Sequence, residues 1–191
     1  LSGVLLGSTG YAAQPLQTEP AEKTGIAAAG TIALDARADE IIAGMSLEEK
    51  VGQMMMLGIR STELDEDTQS LLGHIPAAGI ILYDANMQSK EQVKELNAAL
   101  QQAYGHTPPL LLRPDAPLSQ EAIGAAGNPQ EARDSAVKIS KELKALGFNM
   151  NFAPVADVGS GRERSFSKSA AAAADFVYAA VQGYEQEKMI Y

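Results

Sequence analysis

"NFAPVADVGSGRERSFS", residues 151–167, begins as a strand and ends as a charged loop. Phe152, Val155 and Val158 are the apolar side chains a buried strand needs. Gly159, Ser160 and Gly161 then interrupt it, and Arg162, Glu163 and Arg164 follow at once. A buried strand that runs straight into a polar loop is the habit of α/β domains, in which the C-terminal ends of the strands carry the functional groups.

The flanking segments extend the pattern. Before the strand lies a helix with Asn128 as its cap, Pro129 in its first turn and Glu131 in the box position. Ala136, Ile139, Leu143 and Leu146 fall on one face, and Gly147 is the terminator. After it, residues 170–185 read as a helix with Phe176, Val177, Ala180 and Val181 inward, and "MIY" opens a fifth strand.

Further upstream, "PLLL" (109–112) is strand three and "AGIILYD" (78–84) strand two. Between them a helix starts at Ser89, with Gln92 in the box position and Val93, Leu96, Leu100 and Ala103 as an apolar stripe. "MMMLGI" (54–59) is strand one; the alternative is that it prolongs the helix that Ser46 caps with Glu49. "STELDEDTQSLLGHI" (61–75) is a helix whose Glu63, Asp65, Glu66 and Asp67 suit the positive end of the dipole, a solvated start rather than a cation site. "DARADEIIAGM" is another helix.

The sum is four β/α units and the start of a fifth. No Asn-Gly hairpin turn separates the apolar runs, so the strands are expected to be parallel neighbours in sequence order. Two architectures fit, an open doubly wound sheet or the N-terminal half of a (β/α)8 TIM-type barrel. "GSTG" and "GSGR" lack the spacing and context of a phosphate loop, which favours the barrel.

The composition narrows the partners. With 191 residues, 46% of them hydrophobic, the chain can bury a substantial core. Twenty-four acidic against fifteen basic residues give a net charge of -9, with the basic ones scattered, which argues against nucleic acid. Cysteine is absent, so there is neither a disulfide framework nor a thiolate metal site. His74 and His106 lie in expected turns, "GHIP" and "GHTPP", and read as solvated loop residues; no cofactor or metal is implied. No apolar run approaches the roughly 20 residues of a membrane span. Residues 1–33 are rich in small side chains, with Gly10 and Ala12 at a signal-peptidase spacing. They read as a leader remnant or flexible linker ahead of a domain at 34–191, and imply a secreted or cell-envelope protein.

The positions where chemistry is expected are Asp84, Asn86, Asp115 and residues 157–167, at the strand ends. Sugar hydroxyls are read by carboxylates, which accept, and by arginine, which donates. Asp157 and Arg164 offer one of each. The plainer alternative is an aspartate capping its own loop and an arginine paired to Glu163 on the surface.

"MSLEEKVGQMMMLGI", "AGIILYDANMQSKEQVKELNAAL", "LKALGFNMNFAPVADV" and "RSFS" resemble, in this order, the N-terminal barrel of glycoside hydrolase family 3, and most of all its bacterial β-N-acetylhexosaminidase branch. The resemblance covers residues 33–191. It implies a retaining glycosidase acting on N-acetylglucosamine-containing cell-wall or chitin-like sugars, with a carbohydrate as its partner. It places the glycone-binding arginine of the Arg-Ser-Phe motif on Arg164, which is then expected to turn toward the barrel axis. The family's sugar-binding aspartate after strand three falls on Asp115, although the Glu-Gly-Gly turn that should follow is missing from "APLSQEAIGAAG". The family's histidine acid/base and aspartate nucleophile come later than Tyr191. No catalytic residue is therefore named, and the 191-residue chain alone is expected to be inert. The alternative is a noncatalytic half-barrel that binds sugar or serves the envelope.

Overall fold

The computed structural model describes residues 35–104, 110–113 as backbone, 119–160 and 163–191. The leader or linker reading of 1–33, and the expectations for His106 and Asp115, lie outside the described residues. The chain divides into Leu1–Gly44 and Met45–Tyr191. In the first unit the described part includes a helical segment, 35–43, with an exposed Arg37–Glu40 ion pair at 2.6 Å.

The second unit runs α1 (Leu47–Gly52), β1 (Met56–Gly58), α2 (Glu66–His74), β2 (Gly79–Ile81), a 3-10 turn (Asp84–Asn86), α3 (Lys90–Ala103) and β3 (Leu110–Arg113). It continues with α4 (Gln120–Ala126), α5 (Pro129–Ala145), β4 (Met150–Asn151) and α6 (Ala170–Gln186). The strands form one sheet in the order β1-β2-β3-β4. All three pairings are parallel, with Met56 opposite Gly79, Gly79 opposite Leu110 and Leu112 opposite Met150. Sequence order across the sheet excludes the usual doubly wound arrangements, which reverse direction, and is the order of successive barrel strands. The expected fifth strand is represented by one parallel bridge: Asn151 N–H donates to Ile190 at 2.8 Å, and Ile190 N–H to Asn149 at 3.0 Å.

Local chemistry sets the helix starts where the sequence places them. Ser46 accepts from Glu49 N–H at 3.1 Å while the Glu49 carboxylate accepts from Ser46 N–H at 2.7 Å, a complete capping box. Ser89 caps α3 and Asn128 caps α5, with Pro129 in the first turn. Alternation along β2 sorts its two faces. Ile80 and Leu82 are fully buried, among a core that includes Leu96, Leu100, Leu143, Phe148 and Phe176 from α3, α5, the β4 approach and α6. Ile81 and Tyr83 point to the other face, where the open side of Gly58 meets both within 4 Å.

Several expectations are corrected. Met54 and Met55 do not belong to strand one. Their N–H groups bond to Val51 and Gly52 at 3.1 and 2.9 Å, so the helical turn runs on to Met55 and the strand starts at Met56. α2 begins at Glu66 rather than at 61, because Asp65 turns its carboxylate onto Thr68 N–H at 2.8 Å; these hydrogen bonds hold the Asp65 carboxyl below the usual range. His74 closes α2 instead of sitting in a turn, its Nδ1 2.6 Å from the Ser70 carbonyl. α4 was not expected at all.

Strand four shrinks to Met150–Asn151, and the apolar residues expected to bury it diverge: Phe152 and Val158 are 51% and 49% exposed, and Val155 is half-buried. Pro154 has no N–H to give a ladder, and both backbone groups of Val155 are taken by a side chain, described next. Asn151 is buried against α6, so Phe152 falls on the opposite face, the one the helices do not cover.

Candidate functional site

The strand ends that should carry chemistry behave differently. After β2, Tyr83 and Asp84 are exposed, whereas Asn86 is 1% exposed and wholly committed to the scaffold. Its Nδ2 donates to the carbonyls of Ile59 at 3.1 Å and Ser61 at 2.8 Å, and its Oδ1 accepts from Tyr83 N–H at 2.9 Å. Gln92 adds a bond from Nε2 to the Thr62 carbonyl and accepts from Gln88 N–H at 2.9 Å. Asn86, a candidate on position alone, therefore ties the exit of β1 to the exit of β2.

After β4 the loop is braced from α4. Gln120 accepts from Val155 N–H at 2.9 Å and donates to the Val155 carbonyl at 3.3 Å, replacing the ladder bonds a longer strand would have made. The returning limb is held by the same helix. Glu121 N–H and the Ser119 hydroxyl each lie 3.3 Å from the Glu163 carbonyl, and Gly124 packs so tightly on Phe166 that an added Cβ would stand 1.7 Å from its carbonyl oxygen. Within the loop, Gly159 N–H donates to Ser167 at 3.0 Å and Ser160 N–H to the Ser165 hydroxyl at 2.8 Å. Glu163 takes a left-handed conformation, φ 59. Phe166 anchors the far end, buried and stacked on Phe176 with ring centroids 5.4 Å apart.

Between these two braced limbs, Asp157 and Arg164 come together. The guanidinium stands 3.9 Å from the Asp157 carboxylate, and the two side chains are 57% and 54% exposed, Arg164 first. At that length and exposure the pair adds little to stability. Arg164 meets Asp157 rather than Glu163, after the end of β4, and more than half of its side chain is in solvent. Asp115 lies outside the described residues.

Beneath the loop, Asn151 Nδ2 donates to the Tyr184 hydroxyl at 3.3 Å while its Oδ1 is buried without a partner. Burial pushes the Tyr184 hydroxyl up to about 12, against a smaller opposing effect of the Asn151 hydrogen bond. Among the described residues no group of three or more His, Asp or Glu side chains is placed to hold a metal ion, and no helix is long and apolar enough to cross a membrane.

Residue type and position single out Asp157 and Arg164 as candidates but not Gln120. The signal for α4 was there: Ser119 caps it, accepting from Ala122 N–H at 3.3 Å, and Gly127 closes it at φ 74.

Residues 46–191 match the sequence model of the Glycosyl hydrolase family 3 N terminal domain. The chain belongs to glycosyl hydrolase family 3. It is 31% identical over 153 residues to a beta-hexosaminidase of Xanthomonas euvesicatoria pv. vesicatoria (strain 85-10), and 32% identical over 162 residues to one of Stenotrophomonas maltophilia (strain K279a). Each alignment covers 68% of this chain and 45% of the relative. The chain thus spans about half the length of the curated relatives it matches. Among solved structures, a family 3 beta-N-acetylglucosaminidase from Paenibacillus sp. str. FPU-7 superposes with a TM-score of 0.71 at 31% identity, over 75% of this chain and 32% of that one. The family 3 sheet described here is therefore the N-terminal part of a TIM-type barrel, and the family is one of hydrolases.

Proposed function

We propose that this chain forms the substrate-binding first half of a retaining β-N-acetylhexosaminidase, acting on N-acetylglucosamine-containing cell-wall or chitin-like sugars in a secreted or envelope-associated bacterial protein. The observation that carries the reading is the meeting of Asp157 and Arg164 at the end of β4. An acceptor and a fixed-fork donor stand side by side, partly in solvent, at the strand end where barrel enzymes bind substrate. The beta-hexosaminidase names of the relatives supply the sugar class. In this reading Arg164 donates to a glycone hydroxyl and Asp157 orients the guanidinium. Retaining hydrolysis also needs a nucleophile at the anomeric carbon and an acid for the leaving oxygen, and neither role is assigned to a described residue of this chain.

The protein expressed from its complete gene should hydrolyse a chromogenic N-acetylglucosaminide, and the 191-residue polypeptide should not. Arg164→Ala in the former removes a charge-assisted hydrogen bond of about 1.5–3 kcal/mol, a fall in kcat/KM of roughly ten- to two-hundred-fold. Thermal stability should stay within about 0.5 kcal/mol, because the side chain is exposed. An unchanged kcat/KM would remove Arg164 from the site.

A further inference from the structure

The two limbs that present Asp157 and Arg164 touch one short helix, and each does so through main-chain atoms. On the outgoing limb, Gln120 binds both the N–H and the carbonyl of Val155, two residues before Asp157. On the returning limb, Ser119 and Glu121 face the carbonyl of Glu163, the residue before Arg164, and Gly124 abuts the carbonyl of Phe166, two residues after it. Apart from their 3.9 Å pair, Asp157 and Arg164 have no polar partner among the described residues and are more than half exposed. A pair that weak cannot set its own geometry, since an exposed ion pair contributes from nothing to about 1 kcal/mol. The spacing of the two charges must therefore come from what holds the main chain beneath them.

We propose that Gln120 is a positioning residue for sugar binding, and that α4 fixes the Asp157–Arg164 separation by gripping both limbs of the loop. This rests on the reading that Arg164 meets the sugar. Gln120 touches no substrate; it acts by replacing two ladder bonds at Val155, where Pro154 has already ended the strand. A carboxamide suits the task because it donates and accepts at once, whereas a carboxylate can only accept.

The test uses the protein from its complete gene, with N-acetylglucosamine as the probe. Dissociation constants are measured by NMR titration for the wild type, Gln120→Ala, Gln120→Glu, Arg164→Ala and the Gln120→Ala/Arg164→Ala double variant. Backbone amide exchange is followed alongside. Gln120→Ala should weaken binding roughly five- to tenfold. It should also speed exchange at Val155 and across 157–160, while exchange in α5 stays as in the wild type. Gln120→Glu, which keeps the acceptor for Val155 N–H and loses the donor, should fall between. On the Arg164→Ala background, Gln120→Ala should add little further loss, because it acts through the residue already removed.

Equal losses on both backgrounds, or wild-type exchange at Val155 in Gln120→Ala, overturn the proposal. If Arg164→Ala leaves binding unchanged while Gln120→Ala still frees the 155–160 amides, the sugar reading fails and the grip of α4 on the loop stands.

Discussion

The exits of β1 and β4 are held by the same device and put to different ends. In both, a carboxamide from a neighbouring unit takes up main-chain groups that a longer strand would have paired. After β1 the carboxamides are Asn86 and Gln92, reaching the carbonyls of Ile59, Ser61 and Thr62. Asn86 is buried and fully bonded there. After β4 the carboxamide is Gln120, and beyond its grip on Val155 the loop offers an aspartate and then an arginine to solvent. A loop whose polar atoms are all satisfied internally is a brace. A loop braced only at its base, with a donor and an acceptor left over, is equipped to meet something else.

Substitutions on each side can break that contrast. The largest expected effect is at Gly124. On an exposed helix, Gly→Ala stabilises by up to about 1 kcal/mol, but here the new Cβ would meet the Phe166 carbonyl at 1.7 Å, so either α4 or the returning limb must move. Gly124→Ala should cost about 3 kcal/mol in urea unfolding; a gain in stability would show that α4 does not clamp the loop. Next is Asn86→Ala, which strips the β1 exit of its buried brace and leaves two carbonyls and Tyr83 N–H to find other partners, a loss of about 2–3 kcal/mol. Amide exchange should rise around 59–62 and stay unchanged around 155–160. Opening of both regions together would mean that the two exits form one cooperative unit.

The last effect is a pH dependence to which the β4 side contributes through Tyr184. The Tyr184 hydroxyl, pushed up to about 12 by burial, stays protonated in the fold when the unfolded tyrosine, near 10, has already lost its proton. The folded form then binds more protons, so stability falls as pH rises. The contribution is complete below pH 10 and is lost by about pH 12, roughly 2–3 kcal/mol in all. Tyr184→Phe should flatten this part of the alkaline unfolding curve. An unchanged slope between pH 10 and 12 would place the tyrosine in a wetter setting than its burial implies.

What the sequence disclosed about these regions follows from how local each signal is. Ser46, Ser89 and Asn128 were legible as caps because a cap needs only its own three or four neighbours. The parallel order was legible from the alternation of apolar runs and capped helices. β4 was overestimated because Val155 looks like a strand residue, and its competitor for hydrogen bonds, Gln120, lies 35 positions away. α4 was missed because seven residues are too few for an amphipathic period, and its partner is a loop rather than the sheet. Asp157 and Arg164 were legible as a pair by charge and position. The support beneath them was not, since a glutamine gripping a main chain leaves no pattern in composition.

The order of the sheet bears on how the chain is assembled. Each strand pairs with the one made just before it, so every ladder closes a loop of a single β/α unit, and closure entropy grows only with the logarithm of that short length. Among the described strands, none waits for a distant partner to pair with its predecessor, which favours fast formation of this part of the sheet. For a chain leaving the ribosome N-terminus first, the sheet grows at one margin as synthesis proceeds. The margin open to the next arrival is always the newest strand, and alongside β4 that place is already marked by Ile190.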